Sequence, residues 1–480
     1  MASGKALRQE LRETLSEEFG YDRFRPGQLE TCLASVRGRD VVFLAPTGAG
    51  KSLCYQLPGV AMEGVTVVVC PLISLAEDQA AHLREVGYTA AIINSTRSKK
   101  RAEKDLAAVR GGECEFVITT PERLQSSDLC EVLSGVGVDL MVVDEAHCAS
   151  QWGHDFRPDY LALRHARKRM GGPPVLAMTA TASERTLEDI TETLGLDSPK
   201  VVAAGVDRPN LSLDVRACEG GDQKRNLLLR LLGGEECPHP GEPAIVYCGT
   251  VKAADAVHEF LSNVHGGVAK YHGRMAAKAR GESQAAFMSG ECGVMVATNA
   301  FGMGIDKPDI RQVIHFAVPG SLEEYYQEVG RAGRDGEPAT CTLLFDPDDL
   351  QVRKLFAGGA LSSEELMTAY ANLRTACGDA GEAKLTDVVK GSPYGRGKLK
   401  QALQLLSSRG LVEPRGRGRW ACVVSAVDHA TADRLADRAK SRTEDRQIAV
   451  RQMAEFAQSC GDRWRMLREH FAVEADVTAA

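Results

Sequence analysis

Short apolar runs alternate along the chain with longer stretches in which apolar residues recur every three or four positions. The runs Val41 to Leu44, Val65 to Cys70, Phe116 to Thr119, Leu140 to Val143 and Val175 to Met178 are nearly continuous and rich in valine. Strands apolar on both sides are covered on both sides, which is the condition of a parallel sheet flanked by helices. A second series begins after Val206-Asp207-Arg208-Pro209-Asn210: Ala244 to Cys248, Val294 to Thr298, Val313 to Phe316 and Thr340 to Phe345, separated by helical segments such as Ala253 to Leu261. The pattern predicts an α/β fold with two successive lobes, residues 1–205 and 206–350. After Ala357-Gly358-Gly359 the strand pattern stops. Residues 361 to 412 read as three helices, followed by a turn at Glu413 to Gly416 and a strand Trp420 to Val424, the outline of a winged helix over 361–427. A helical segment closes the chain over 428–480, with Met453, Phe456, Cys460, Trp464 and Leu467 at spacings of three and four.

Composition narrows the picture. The 480 residues are 44% hydrophobic and 26% charged, which excludes a wholly disordered chain, a collagen and a coiled coil. No run approaches the roughly 18 apolar residues of a membrane span, so a cytoplasmic protein is expected, nucleoid-associated if bacterial. The net charge of −7 does not exclude a local basic face. From Gly391 to Trp420 seven lysines and arginines stand against the single acid Glu413. The 14 cysteines are scattered with no C-x-x-C pair, as in a chain of reduced thiols. Cys237 and His239 lie in the breaker-rich stretch 233–243, where the second pair of ligands that a metal site needs is missing.

Two stretches carry chemistry. Ala45-Pro46-Thr47-Gly48-Ala49-Gly50-Lys51-Ser52 follows a predicted strand and opens a predicted helix, the context in which backbone N–H groups cradle phosphate. Lys51 would reach the β and γ phosphates and Ser52 would ligate Mg²⁺. The first position is alanine where the strict pattern has glycine, so a plain structural turn is the alternative. Asp144-Glu145-Ala146-His147 ends another strand, where a parallel sheet presents ligand-binding side chains. Asp144 would hold Mg²⁺ through water and Glu145 would deprotonate an attacking water; two acids after a strand otherwise cap a helix.

Taken in order, the phosphate loop, Asp144-Glu145-Ala146-His147, Thr179-Ala180-Thr181 and Gln327-Glu-Val-Gly330-Arg331-Ala-Gly-Arg334 resemble a superfamily 2 helicase of the RecQ family. Phe19 to Gln28 is similar to that family's adenine-recognition motif, and Cys148 to Tyr160 to its aromatic-rich loop. The resemblance covers roughly residues 7 to 350 and implies two RecA-like lobes, ATP and Mg²⁺ as cofactors, and 3′-to-5′ unwinding of DNA in recombination and repair. Tyr21 would stack on adenine, Gln28 would bond its edge and Arg25 would lie nearby, with Thr47, Gly48, Ala49 and Gly50 lining the phosphates. Arg331 and Arg334 would face the γ phosphate, Arg334 as the finger. Trp152, His154, Phe156 and Tyr160, in a segment without helical period, would be stacking platforms for bases, with Arg157 beside them; a purely structural loop is the alternative. Thr250, in a stretch resembling motif IV, and Thr298, ahead of the glycine-rich turn 299–306 resembling motif V, would meet the DNA backbone. Lys398 and Arg417 would contact phosphates from the winged helix, or that module is a scaffold or docking surface. The expected partners are single-stranded and tailed duplex DNA, met by a monomer. An RNA helicase, or a translocase that remodels without separating strands, is the competing reading.

The family's usual zinc module is altered. Met453 to Phe471 is similar to its helical part, yet Asp462 stands where the first cysteine ligand is expected and Cys460 is alone, which argues against zinc. The winged helix is also expected before this helical remnant instead of after it.

Overall fold

The computed structural model describes residues 4–71, 73–94, 97, 99–150, 156–180, 182–302, 305, 307–357, 359–415 and 418–472. Two compact units form: residues up to Leu350 together with those from Gln452 onward, and Gln351–Arg451. The expected separate terminal segment 428–480 is therefore divided between the two units. Among the described residues no helix is long and apolar enough to cross a membrane.

In the first unit, strands β1 (Val41–Leu44), β2 (Val65–Val69), β3 (Ala90–Ile93), β4 (Phe116–Thr119), β5 (Val138–Val143), β6 (Val175–Thr179) and β7 (Lys200–Ala203) form a sheet in the order β3-β4-β2-β5-β6-β1-β7. Every pairing is parallel, with Val42 opposite both Ala177 and Val201. Alternate residues feed two different cores. Val42, Val67, Val117, Met141 and Val143 face one layer of helices; Val41, Phe43, Val68, Ile118 and Val142 face the other. This two-sided burial is why the central strands are continuous apolar runs.

A second sheet in the same unit contains β8 (Leu211–Ala217), β9 (Ala244–Tyr247), β10 (Val268–Tyr271), β11 (Val294–Ala297), β12 (Gln312–His315) and β13 (Ala339–Phe345), in the order β10-β11-β9-β12-β13-β8. It too is parallel throughout and buried on both faces. The strand patterns missed β3, β7, β8 and β10, which are the four edges of the two sheets. β7, β8 and β10 are only partly covered and carry polar residues, as in Leu211-Ser-Leu-Asp-Val-Arg-Ala217, while β3 is buried but half alanine.

In the second unit, helices Ser363–Cys377, Leu385–Lys390 and Arg396–Ser407 pack with an antiparallel sheet of β14 (Glu382–Lys384), β15 (Val412–Pro414) and β16 (Arg419–Cys422), ordered β14-β16-β15. The first helix opens with a reciprocal capping box between Ser362 and Glu365.

The C-terminal helical stretch is broken. Helix His429–Gln458 stops before Asp462, whose carboxylate accepts from Trp464 N at 2.9 Å and caps helix Arg463–His470. Met453, Phe456, Leu467 and Phe471 are buried in one core of the second lobe, where the Phe456 and Tyr325 rings lie 5.0 Å apart. Phe456→Ala is expected to cost about 3–5 kcal/mol of stability. Chemical denaturation measures it, and a loss below about 1 kcal/mol would mean that the segment is not part of that core.

Candidate active site

The phosphate loop leaves β1 and enters helix Leu53–Ala61, with Gly48 at φ 83° and Gly50 at φ 77°. Side chains hold its carbonyls. Arg25 Nη1 donates to Gly48 O at 2.6 Å, and Gln28 Nε2 donates to Ala49 O at 3.2 Å and Gly50 O at 3.0 Å. Lys51 Nζ donates to Ala45 O at 3.0 Å and Pro46 O at 3.5 Å, and Arg208 Nη1 to Thr47 O at 2.9 Å. Gln28 is itself oriented, since its Oε1 accepts from Arg25 N at 2.8 Å. A Cβ on Gly50 would stand 2.8 Å from Gln28 Nε2, so this close approach, together with the positive φ, requires glycine. With the carbonyls so held, the donors a phosphate would meet are backbone N–H groups at the start of the helix. Tyr21 stands half-exposed.

β6 lies between β1 and β5 and all three run parallel, so the loop and the acid pair open at the carboxyl end of the sheet, one strand apart. Asp144 is buried; its Oδ1 accepts from Glu145 N at 3.0 Å and its Oδ2 from Gln79 Nε2 at 3.4 Å. Burial, then Glu145, push its carboxyl up to about 6 against the pull of Lys51. Burial likewise lowers the Lys51 ammonium, which the two acids partly restore. The Asp144 carboxylate, buried and met by N–H donors, and the Ser52 hydroxyl at the end of the phosphate loop are hard oxygen donors of the kind Mg²⁺ takes.

Glu145 adopts a left-handed backbone, φ 48° and ψ 49°, which costs a β-carbon-bearing residue of order 1 kcal/mol. Its Oε2 lies 3.3 Å from Nδ1 of His147, and that nitrogen also meets Thr179 Oγ1 at 3.0 Å. On the ring's other side, Nε2 lies 3.4 Å from Gln327 Nε2 of the second lobe. The same ring nitrogen lies 3.8 Å from Cys148 Sγ.

In the second lobe, helix Leu322–Val329 is capped by Ser321 and leads into the arginine turn. The two arginines part company. Arg334 Cγ lies 3.6 Å from where a Cβ on Gly48 would stand, so this side chain crosses to the phosphate loop. Arg331 is buried and donates to Gly302 O inside its own lobe. The expectation for Tyr160 is corrected. This residue is fully buried and its hydroxyl donates to Asp144 O at 3.0 Å, so it supports the acid strand and offers no ring to a base.

Trp152, His154 and Arg417 lie outside the described residues. Phe156 is half-buried, and Arg157 Nη1 donates to Pro71 O at 2.9 Å. Thr250 and Thr298 follow the C-terminal ends of β9 and β11; the first caps helix Val251–Ser262 and the second accepts from Ala300 N at 3.4 Å. Lys398 pairs with Glu365 and sits 5.0 Å from the Tyr394 ring centre. The motif reading left Gln79, His147, Arg208 and Gln327 without roles. His147 and Gln327 stood inside the motifs quoted, and Arg208 in the run that marks the lobe boundary.

Two parallel-sheet lobes meeting over a phosphate-loop sequence, an acid pair and an arginine are the arrangement of the helicase class. Residues 25–190 match the DEAD/DEAH box helicase family and residues 223–336 the helicase conserved C-terminal domain. The ATP-dependent DNA helicase RecQ of Bacillus subtilis is 42% identical over 342 residues, 71% of this chain and 57% of that protein. The probable ATP-dependent DNA helicase RecS of the same organism is 38% identical over 398 residues, 82% of this chain and 78% of that one. The chain belongs to the RecQ family. It spans little more than half the length of the Bacillus RecQ protein. The fold is shared with the DUF1998 helicase MrfA bound to DNA, at TM-score 0.57 and 18% identity over 88% of this chain and 60% of that one. It is shared too with S. cerevisiae Dbp5 bound to RNA and ADP BeF3, at TM-score 0.56 and 17% identity over 73% and 91%.

Gln28→Ala removes the donor to two loop carbonyls and is expected to weaken ATP binding about tenfold. Gln28→Glu, which sets a carboxylate against those carbonyls, should weaken it further. Titration with a fluorescent ATP analogue checks both, and affinities equal to the parent's would contradict the loop's dependence on Gln28.

Proposed function

We propose that the chain is an ATP-dependent DNA helicase that moves 3′ to 5′ along single-stranded DNA and separates tailed duplexes. The observation that carries this reading is the close approach of Glu145 to His147 and of His147 to Gln327, with Arg334 over Gly48, which gathers groups from both lobes at one cleft. Its relatives at 38–42% identity are named DNA helicases, which favours DNA over RNA.

The chemistry follows from the side chains. Backbone N–H groups of the loop and the Lys51 ammonium, swung from Ala45 and Pro46, hold the β and γ phosphates. Mg²⁺, held by Ser52 and through water by Asp144, would neutralise phosphate charge. Glu145 orients water and takes its proton as the oxygen attacks γ phosphorus and the bond to the ADP oxygen breaks. Arg334 stabilises the charge that spreads over the transferred phosphoryl group, a contribution typically of about 10³ to 10⁵ in rate. His147, fixed by Thr179, passes the state of Glu145 to Gln327 and so to the second lobe. Alternate closing and opening of the lobes would then shift the grip of Thr250 and Thr298 on the backbone. The 3′-to-5′ direction, a role in repair, the stacking role of Trp152 and His154, and phosphate contacts by Lys398 and Arg417 from a winged helix belong to the same proposal. The three helices and small antiparallel sheet of the second unit support the last of these.

Glu145→Gln is expected to lower ATP turnover by at least about 10³-fold while nucleotide binding survives. Residual turnover near the parent's would reject Glu145 as the base. Unwinding of duplexes with 3′ or 5′ tails, and ATPase stimulation by DNA against RNA oligonucleotides, test the whole. Stimulation by RNA alone, or hydrolysis with no strand separation on either tail, would replace the proposal with an RNA helicase or a remodelling translocase.

A further inference from the structure

The segment joining the lobes carries an arginine to which no motif above gives a task. The half-buried Arg208 guanidinium forks: Nη1 donates to Thr47 O at 2.9 Å, and Nη2 to Ala332 O at 3.0 Å and Gly333 O at 2.7 Å. Its Nε reaches Asn210 Oδ1 at 3.4 Å, and Asn210 Nδ2 donates in turn to Gly333 O at 2.8 Å and Glu337 O at 2.9 Å. Thr47 adjoins Gly48 in the phosphate loop, and Ala332 and Gly333 lead directly into Arg334. A Cβ on Gly48 would stand 3.6 Å from Arg334 Cγ and 3.8 Å from Arg208 Nη1, so the two arginines converge on one point of the loop.

We propose that Arg208 is a positioning residue that sets the reach of Arg334 to the phosphate loop, clamping Thr47 and the arginine turn in one fork when the lobes close. Separation of the lobes must break one arm of that fork. The arm on the second lobe has two carbonyls and the support of Asn210 against one carbonyl on the first, so the Thr47 bond is the one that opens. Arg208 therefore travels with the second lobe and re-forms a single bond to the loop at each closure, aligning the finger at the moment it is needed. A lysine cannot substitute, because one ammonium lacks the planar spread that reaches both backbones. The inference rests on the cleft being an ATP site.

The experiment is a double-mutant cycle on DNA-stimulated ATP turnover, with Arg208→Ala, Arg208→Lys, Arg334→Ala and the Arg208→Ala/Arg334→Ala pair. Fluorescent ADP titration and melting temperature are measured on each. Misplacing the finger should lower kcat about 10- to 100-fold in Arg208→Ala and leave ADP affinity within about threefold. Arg208→Lys should not recover the rate, and Arg208→Ala should cost nothing further once Arg334 is gone. An equal proportional loss in the Arg334→Ala background, full recovery by lysine, or an unchanged kcat would each overturn the proposal. Should Arg208→Ala fail to fold, Arg208→Lys enters the cycle in its place under the same non-additivity criterion. A parent protein that binds no nucleotide would instead sink the ATP reading itself.

Discussion

A loop that offers N–H groups to an anion must place its carbonyls elsewhere, and in this protein side chains hold six consecutive ones. Ala45 and Pro46 are held by Lys51, Thr47 by Arg208, Gly48 by Arg25, and Ala49 and Gly50 by Gln28. Those side chains come from the segment before the first sheet, the loop itself and the link between lobes. Polar backbone in a partly buried turn demands such partners, so the loop's shape is a property of the assembled unit. Arg25 and Gln28, which the family resemblance assigns to adenine, are structural members of the phosphate loop.

From there the architecture runs outward through few contacts. The strained Glu145 backbone brings its carboxylate to His147, Thr179 fixes the ring, and Gln327 meets the ring's far side. On the second lobe, two arginines three positions apart have opposite fates. Arg331 continues the buried side of helix Leu322–Val329 and holds the turn at Gly302, while Arg334 follows Gly333, whose φ of 56° turns the chain away from the core. One arginine braces the turn so that the other can reach out.

The same helix is supported from behind by the C-terminal segment. The Phe471 ring lies 5.2 Å from Tyr326, His470 Nε2 meets Glu323 Oε1 at 2.8 Å, and Arg468 Nη1 meets Asp207 Oδ1 at 2.7 Å. Trp464 Nε1 donates to Leu211 O at 3.3 Å. Apolar burial and these polar pairs tie the segment to the link between lobes and to the helix that leads to the arginine turn. At the position where the family resemblance puts a zinc ligand, Asp462 is a helix cap.

Much of this was legible along the chain because continuous apolar runs arise only where a strand is covered twice, and the inner strands of both sheets carry that mark. Glycines and a lysine after one such run, and paired acids after another, stood at the ends of β1 and β5, which the sheet brings to within one strand of each other. The four edge strands left a weaker imprint, because partial exposure relaxes the demand for apolar residues in three of them and half of β3 is alanine. Which of Arg331 and Arg334 crosses the cleft, that Tyr160 is buried beneath Asp144, and that Arg208 spans both lobes were decided only in three dimensions. Each depends on partners more than a dozen residues away, and a side chain's direction is set by what packs around it, a quantity that no spacing in a sequence records.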